Sequence, residues 1–328
     1  MQTVVRASRT PTIEFNATRC AICGTLGNAR EVYRANLNVG AFRPDVFSAR
    51  RLPDRLHYRV VRCNGCGLVR SDPVADGAMI DDLYARGTVT YGDEVPGLRA
   101  TYGRYLERAA PHGSTRGTLL EIGCGDGFFL EEALRHGYRR ALGVEPAEAA
   151  IAQARPDIRP NIRRDVMRPD LFPAGSIDLV CLFQVFDHLP DPGAVLDECR
   201  RILRPGGVVL CLNHDVDAAS ARILGEGSPI VDVEHTYLYG RRTLRLIFER
   251  HGYRVCESGP VVNSCSLYYL LRLLPLPRRL KSVALAALSR TPIGRWRVPV
   301  RLGNQYLVAR IPCTVDRDGA ESGRGPNV

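Results

Sequence analysis

The chain has 328 residues, of which 45% are hydrophobic and 24% charged, with a formal net charge of +10. That length exceeds an average domain of about 100 to 200 residues, and the balance excludes a chain disordered throughout and collagen-like or coiled-coil architectures. Apolar stretches such as 205–212 and 283–288 are cut by Gly, Pro or charge well short of the roughly 20 residues that span a bilayer. The opening MQTVVRASRTPTIEF lacks the apolar h-region of a secretory signal, so a cytoplasmic location is expected. Of the 45 basic residues only Lys281 is a lysine, and no basic tract is interleaved with aromatics, so no nucleic-acid partner is expected.

Two C-x2-C pairs come first along the chain: Cys20 and Cys23 in CAICG, Cys63 and Cys66 in CNGCG, each followed directly by Gly. Two such turns deliver four thiolates to the corners of a tetrahedron about 2.3 Å from a metal, and the glycines let backbone amides face sulfur. The 39 residues between the pairs imply an insertion, with a strand hairpin through LHYRVVRC (56–63). Four sulfur ligands leave no open position for a catalytic water, so the site reads as structural zinc. The other seven cysteines, Cys124, Cys181, Cys199, Cys211, Cys256, Cys265 and Cys313, show no pairing and read as small buried hydrophobes.

Residues 76–114 read as a connector or lid, with a short helix, a polar loop and an amphipathic helix over 99–110. Apolar runs then alternate with helical periods: strands at 118–123, 141–146, 177–184, 207–213, 253–259 and 304–312, and helices at 128–137, 147–155, 194–203 and 242–252. This alternation predicts an α/β fold with a doubly wound, mostly parallel sheet. The expected domains are a zinc-binding unit at 1–75, a catalytic unit at 115–313 with a helical insertion at 264–300, and a disordered tail at 314–328.

EIGCGDG (121–127) falls between the first strand and its helix, placing Gly123, Gly125 and Gly127 where positive φ and close approach of a ligand to the backbone are needed. Glu145 ends the next strand in GVEP, 18 residues past Gly127, where a carboxylate can accept from both hydroxyls of an unphosphorylated ribose. A nicotinamide-dehydrogenase reading fails because Phe128 stands where the third glycine of G-x-G-x-x-G would be.

LLEIGCGDGFFLEEA resembles the first motif of the class I S-adenosylmethionine-dependent methyltransferases, GVEP the second, and RRDV (163–166) the segment whose Asp touches the adenine amine. SIDLVCLFQVFDHLPDP (176–192) and LDECRRILRPGGVVLCLN (196–213) are similar to the family's next motifs, so the resemblance covers about 115–312. It implies a seven-stranded Rossmann-like sheet with its last strand antiparallel. It also implies a cofactor site at Glu121, Gly123, Cys124, Gly125, Glu145, Pro146, Asp165, Val166, Phe183 and Gln184. The cysteine pairs together with EHTYLYG (234–240) resemble the front part of the zinc-containing sugar-nucleotide C-methyltransferases, with Asp232 where that family often carries Tyr. That narrower likeness implies Glu234, His235, His188 and Tyr91 around a sugar-like acceptor in envelope-polysaccharide or secondary-metabolite synthesis. The rival is a non-catalytic zinc-bearing protein retaining the nucleoside pocket.

His235 is the first candidate base, since an imidazole titrates near neutral pH; an adjacent Glu234 could assist it only in a loop or turn. His188 reads either as catalytic or as packing a helix start, and Tyr91 as a lid over the acceptor. Asp187, Asp191 and His214 read as caps or solvated loop residues. The leucine- and arginine-rich 267–297 segment reads most simply as a helical cover on the site or a dimer face, with a membrane surface or a lipid-linked substrate as the alternative.

Overall fold

The computed structural model describes residues 13–37, 42–44, 46–47, 55–87, 92–113, 115–274 and 276–312; Tyr91, Cys313 and the tail lie outside the described residues. The N-terminal part contributes strands β1 (Phe15–Asn16), β2 (Ala29–Tyr33), β3 (Val60–Cys63), β4 (Val69–Ser71) and β5 (Val74–Ala75), then helices α1 (Gly77–Ala85) and α2 (Val95–Ala109). The alternating region follows as β6 (Thr118–Ile122), α3 (Phe128–Arg135), β7 (Arg140–Val144), α4 (Glu148–Gln153), β8 (Ile162–Arg163), β9 (Ile177–Phe183), α5 (Pro192–Ile202) and β10 (Leu203–His214). It ends with α6 (Ala219–Leu224), β11 (Tyr237–Leu238), α7 (Arg241–Arg250), β12 (Arg254–Pro260), β13 (Asn263–Ser266), α8 (Leu267–Leu273), α9 (Arg278–Ser289), β14 (Arg297–Val300) and β15 (Asn304–Arg310).

Seven strands form one sheet in the order β12-β15-β10-β9-β6-β7-β8. The neighbours from β10 to β8 are parallel, the pattern the alternation predicted, and β15, the last strand, inserts between β10 and β12 and is antiparallel, as the resemblance implied. Strand β9 shows why: IDLVCLF is buried at every position, the pattern of a central strand covered on both faces. Its Leu179, Cys181 and Phe183 pack with Tyr102 of α2 and Phe128 and Phe129 of α3. Val180 and Leu182 pack on the other face with Leu196 and Cys199 of α5 and Ile247 and Phe248 of α7. Asp191 caps α5, its side chain accepting from the Ala194 N–H at 3.0 Å just ahead of Pro192.

The N-terminal segment is built into this body. A second sheet runs β11-β4-β3-β2, with Tyr237 and Leu238 paired to Arg70 and Val69. Cys20, Ile22, Cys63, Cys66 and Leu68 share a core with α5 and α7. Of the cysteines read as buried hydrophobes, Cys124, Cys181, Cys199, Cys211 and Cys265 are buried; Cys256 on β12 is only half-buried, because β12 is the sheet edge.

The 264–300 insertion is closed at its base by a short antiparallel ladder, β13 against β14. It is docked on α2: the Ser264 N–H donates to Thr101 Oγ1 at 2.9 Å, and the Ser266 hydroxyl donates to Glu94 Oε1 at 2.7 Å. Gly97 makes this approach feasible, since a Cβ there would lie 2.3 Å from the Ser264 carbonyl oxygen and 2.2 Å from an Arg297 nitrogen. The backbone atom cannot swing aside. Gly97→Ala should therefore destabilise the protein by about 1–3 kcal/mol, measured by urea unfolding, although alanine is the better helix former; equal or greater stability would contradict this packing.

Candidate active site

The glycine loop leaves β6 at its carboxyl end. Gly123, Gly125 and Gly127 all have positive φ, between 55° and 73°, and a Cβ on Gly123 would meet Val185 Cγ2 at 2.9 Å. Glu145, just after β7, spans the loop: one oxygen accepts from the Gly125 N–H at 2.8 Å and the other from the Ala147 N–H at 2.9 Å. Glu121 is buried and its Oε2 has no hydrogen-bond partner. Burial pushes the Glu121, Asp126 and Glu145 carboxyls up; repulsion from Asp126 and Glu145 adds to Glu121 and repulsion from Asp126 adds to Glu145, whose two N–H donors oppose the rise, while the Phe128 N–H and Arg99 oppose it in Asp126. Gln184, at the end of β9, has φ +54 and a buried side-chain oxygen without a partner. An orphan carboxylate oxygen, an orphan amide oxygen and a loop open to backbone approach fit a polar nucleoside whose reactive end is cationic.

The remaining residues expected here are placed less uniformly. Cys124 turns its sulfur inward against Gly143, so only its backbone faces the loop. Phe183 is buried against Tyr102, ring centroids 4.3 Å apart. Asp165 is paired with Arg168 at 2.8 Å and accepts from the Val166 N–H; Val166 itself is exposed, and Pro146 is partly buried.

A second cluster lies on the same carboxyl rim. Asp187, one of the most buried polar residues, accepts from His214 Nδ1 at 2.7 Å. His235 Nε2 lies 3.8 Å from the same oxygen and His188 Nε2 lies 3.7 Å from the other. His235 Nδ1 donates to the Ile230 carbonyl at 2.8 Å, which leaves the neutral ring's lone pair on Nε2. His188 Nδ1 is 2.8 Å from the Tyr84 hydroxyl. His235 stands in a turn, meeting the condition set for help from a neighbouring acid, and the carboxylate measured against its ring is Asp187; Glu234 is half-buried beside it. The reading of Asp187 and His214 as caps or solvated loop residues is thus corrected: Asp187 is the hub of three imidazoles, and Tyr84 joins them. Asp187, His214 and His235 present ligand atoms within 4.8 Å of one another, a set that could hold a cation.

The four paired cysteines also converge, with neighbouring sulfurs 3.4–3.5 Å apart and all within 4.8 Å. Gly24 and Gly67 have positive φ and donate to the Cys20 and Cys63 carbonyls at 2.8 and 3.0 Å, closing two matching knuckles. Burial raises the Cys63 thiol, but the Cys66 and Gly65 N–H groups outweigh it and bring it to about 6. Four sulfurs with backbone donors suit a tetrahedral thiophilic metal.

Asp187 makes the protein acid-sensitive. Burial opposes its ionisation, but the His214 hydrogen bond and the three imidazoles prevail and hold the carboxyl well below its usual range. Its stabilising contribution is therefore present above about pH 4 and is lost as pH falls below that. Burial depresses His235, with Asp187 opposing, so the unfolded state takes up that proton first below about pH 6.5 and stability falls in the same direction. Urea midpoints should decline from about pH 7 to pH 3. Asp187→Asn should be less stable at pH 7 and lose less below about pH 4; a profile as steep as wild type there would contradict the assignment.

Residues 97–258 match a family described as a methyltransferase domain. A Mycolicibacterium smegmatis protein named "Probable S-adenosylmethionine-dependent methyltransferase" is 39% identical over 150 residues, covering 45% of this chain and 56% of that one. A ubiquinone biosynthesis O-methyltransferase of Dinoroseobacter shibae is 30% identical over 135 residues, covering 39% and 53%. The chain thus spans about half the length of the curated relatives it matches. A crystal structure of an S-adenosylmethionine-dependent methyltransferase from Archaeoglobus fulgidus aligns over 67% of this chain and 97% of its own, at 20% identity and a TM-score of 0.47. The glycine loop and the acid after β7 both fall within residues 97–258, so the stretch that holds the site is the stretch that is similar to S-adenosylmethionine-dependent methyltransferases.

Proposed function

We propose that this chain moves the methyl group of S-adenosylmethionine to a small acceptor, a sugar or sugar nucleotide, at carbon or oxygen, and that zinc held by Cys20, Cys23, Cys63 and Cys66 supports the site structurally. One observation carries the reading: the buried Glu121 and Glu145 carboxyls and the half-buried Asp126 around the glycine loop share a carboxyl rim with a buried carboxylate ringed by imidazoles. The first group favours a ligand bearing sulfonium and ammonium charges and disfavours the anionic pyrophosphate of a dinucleotide.

When bound, S-adenosylmethionine supplies an already activated methyl electrophile. What remains for the chain is alignment, exclusion of water and a proton acceptor. Glu145 would receive the ribose hydroxyls, and Glu121, Gly123, Gly125 and Gln184 would face the rest of the nucleoside. His235 would take the acceptor's proton on Nε2, with Asp187 stabilising the resulting imidazolium as a buried carboxylate does for a catalytic histidine. Glu234, His188 and Tyr91 would contact the acceptor. The sugar assignment rests on the EHTYLYG motif and the cysteine pairs, and the ubiquinone biosynthesis O-methyltransferase of Dinoroseobacter shibae aligns over 39% of this chain.

Isothermal titration should register S-adenosylmethionine or its demethylated product but not NAD, with Glu145→Ala weakening binding at least about tenfold; NAD binding would overturn the cofactor assignment. His235→Ala should slow turnover about 100-fold or more without loss of cofactor binding. An unimpaired His235→Ala alongside a crippled His214→Ala would move the base to His214. Metal analysis of protein purified without chelators should find one zinc per chain, lost in the Cys20→Ser/Cys63→Ser variant; protein that is folded and metal-free refutes structural zinc.

A further inference from the structure

We propose that the insertion between β13 and β14 is a docking face for an anionic membrane surface. Large exposed apolar side chains cluster there: Leu273, Leu274, Leu280, Val283, Ile293 and Trp296 fall within 24 residues and make up half of the twelve such side chains among the described residues. Val283 is 68% exposed and Trp296 63%. On α9, Leu280, Val283 and Ala287 recur at helical spacing and form one stripe, and none of residues 279–289 is buried.

Charge selects the occupant. From Leu267 to Arg301 the sequence carries eight cations, and there is no Asp or Glu anywhere from Ser258 to Pro312. A cationic, apolar helix beside an exposed Trp has the composition of an element lying in a lipid interface, apolar groups among acyl chains and cations against anionic headgroups. A second copy fits badly, because a self-complementary contact would oppose cations with cations and the segment has no acid to offset them. None of the helices among the described residues is long and apolar enough to cross a membrane, so the contact would be peripheral. The face is held firmly: the Leu267 N–H donates to the Trp296 carbonyl at 2.9 Å, and the ladder below it is bonded to α2, whose Tyr102 stacks on Phe183 beside the glycine loop. Docking would thus hold the rim at a fixed orientation to the bilayer.

Flotation of the intact protein with vesicles tests this independently of methyl transfer. The protein should float with phosphatidylcholine vesicles containing phosphatidylglycerol, not with phosphatidylcholine alone, and should be released by high salt. Leu280→Ser/Val283→Ser/Trp296→Ser should reduce flotation at least about tenfold while thermal unfolding and S-adenosylmethionine binding stay at wild-type values. No binding to anionic vesicles, binding unaffected by the triple change, or a concentration-dependent dimer that the triple change abolishes would overturn the proposal. Flotation by a protein that fails to bind S-adenosylmethionine would leave this inference standing and remove the methyltransferase reading.

Discussion

Two residues of β11 pairing with β4 hold the molecule's chemistry in place. This ladder is extended by Ser71, whose N–H donates to the Thr236 carbonyl and whose hydroxyl donates to the His235 carbonyl, both at 2.9 Å. The Thr236 and Tyr237 amides in turn donate to the Asp187 carbonyl. His235 is therefore fixed from two sides, by the cysteine-bearing sheet and by the loop after β9. The N-terminal segment thus acts as a wall of the site. Tyr237 strengthens the connection by donating to the Arg19 carbonyl, one residue before the first knuckle.

The same geometry explains why the interior tolerates so much charge. Each acid near the rim has a different environment: Asp187 is neutralised by imidazoles, Glu145 accepts two backbone donors, and Glu121 retains an oxygen without a partner. An interior that leaves buried carboxyls under-satisfied is unfavourable in isolation, and such sites commonly await a ligand.

Much of this was legible in the chain. The parallel sheet follows from apolar runs such as 177–183, the glycine loop from its place between strand and helix, and the knuckles from spacing and the glycines that follow. Asp187 and His214 were not legible, because FDHLPDP looks like a helix entry and a histidine ending a strand looks like any loop residue. The one available signal was position: both follow the carboxyl ends of central strands, where ligands gather in such sheets. Strand β8 is two residues long, too short for any periodicity. Helix α2 begins at Val95, before the expected 99, because Pro96 initiates the helix rather than breaking it. The β4–β11 pairing joins residues more than 160 positions apart, which no local pattern encodes.

The two-strand clamp formed by β13 and β14 has an evolutionary reading. It brings the entry and exit of a 30-residue excursion, 267–296, side by side, so the seven-stranded sheet sees only a closed stem. What hangs from that stem can be lengthened, shortened or exchanged without disturbing the register of β12 and β15.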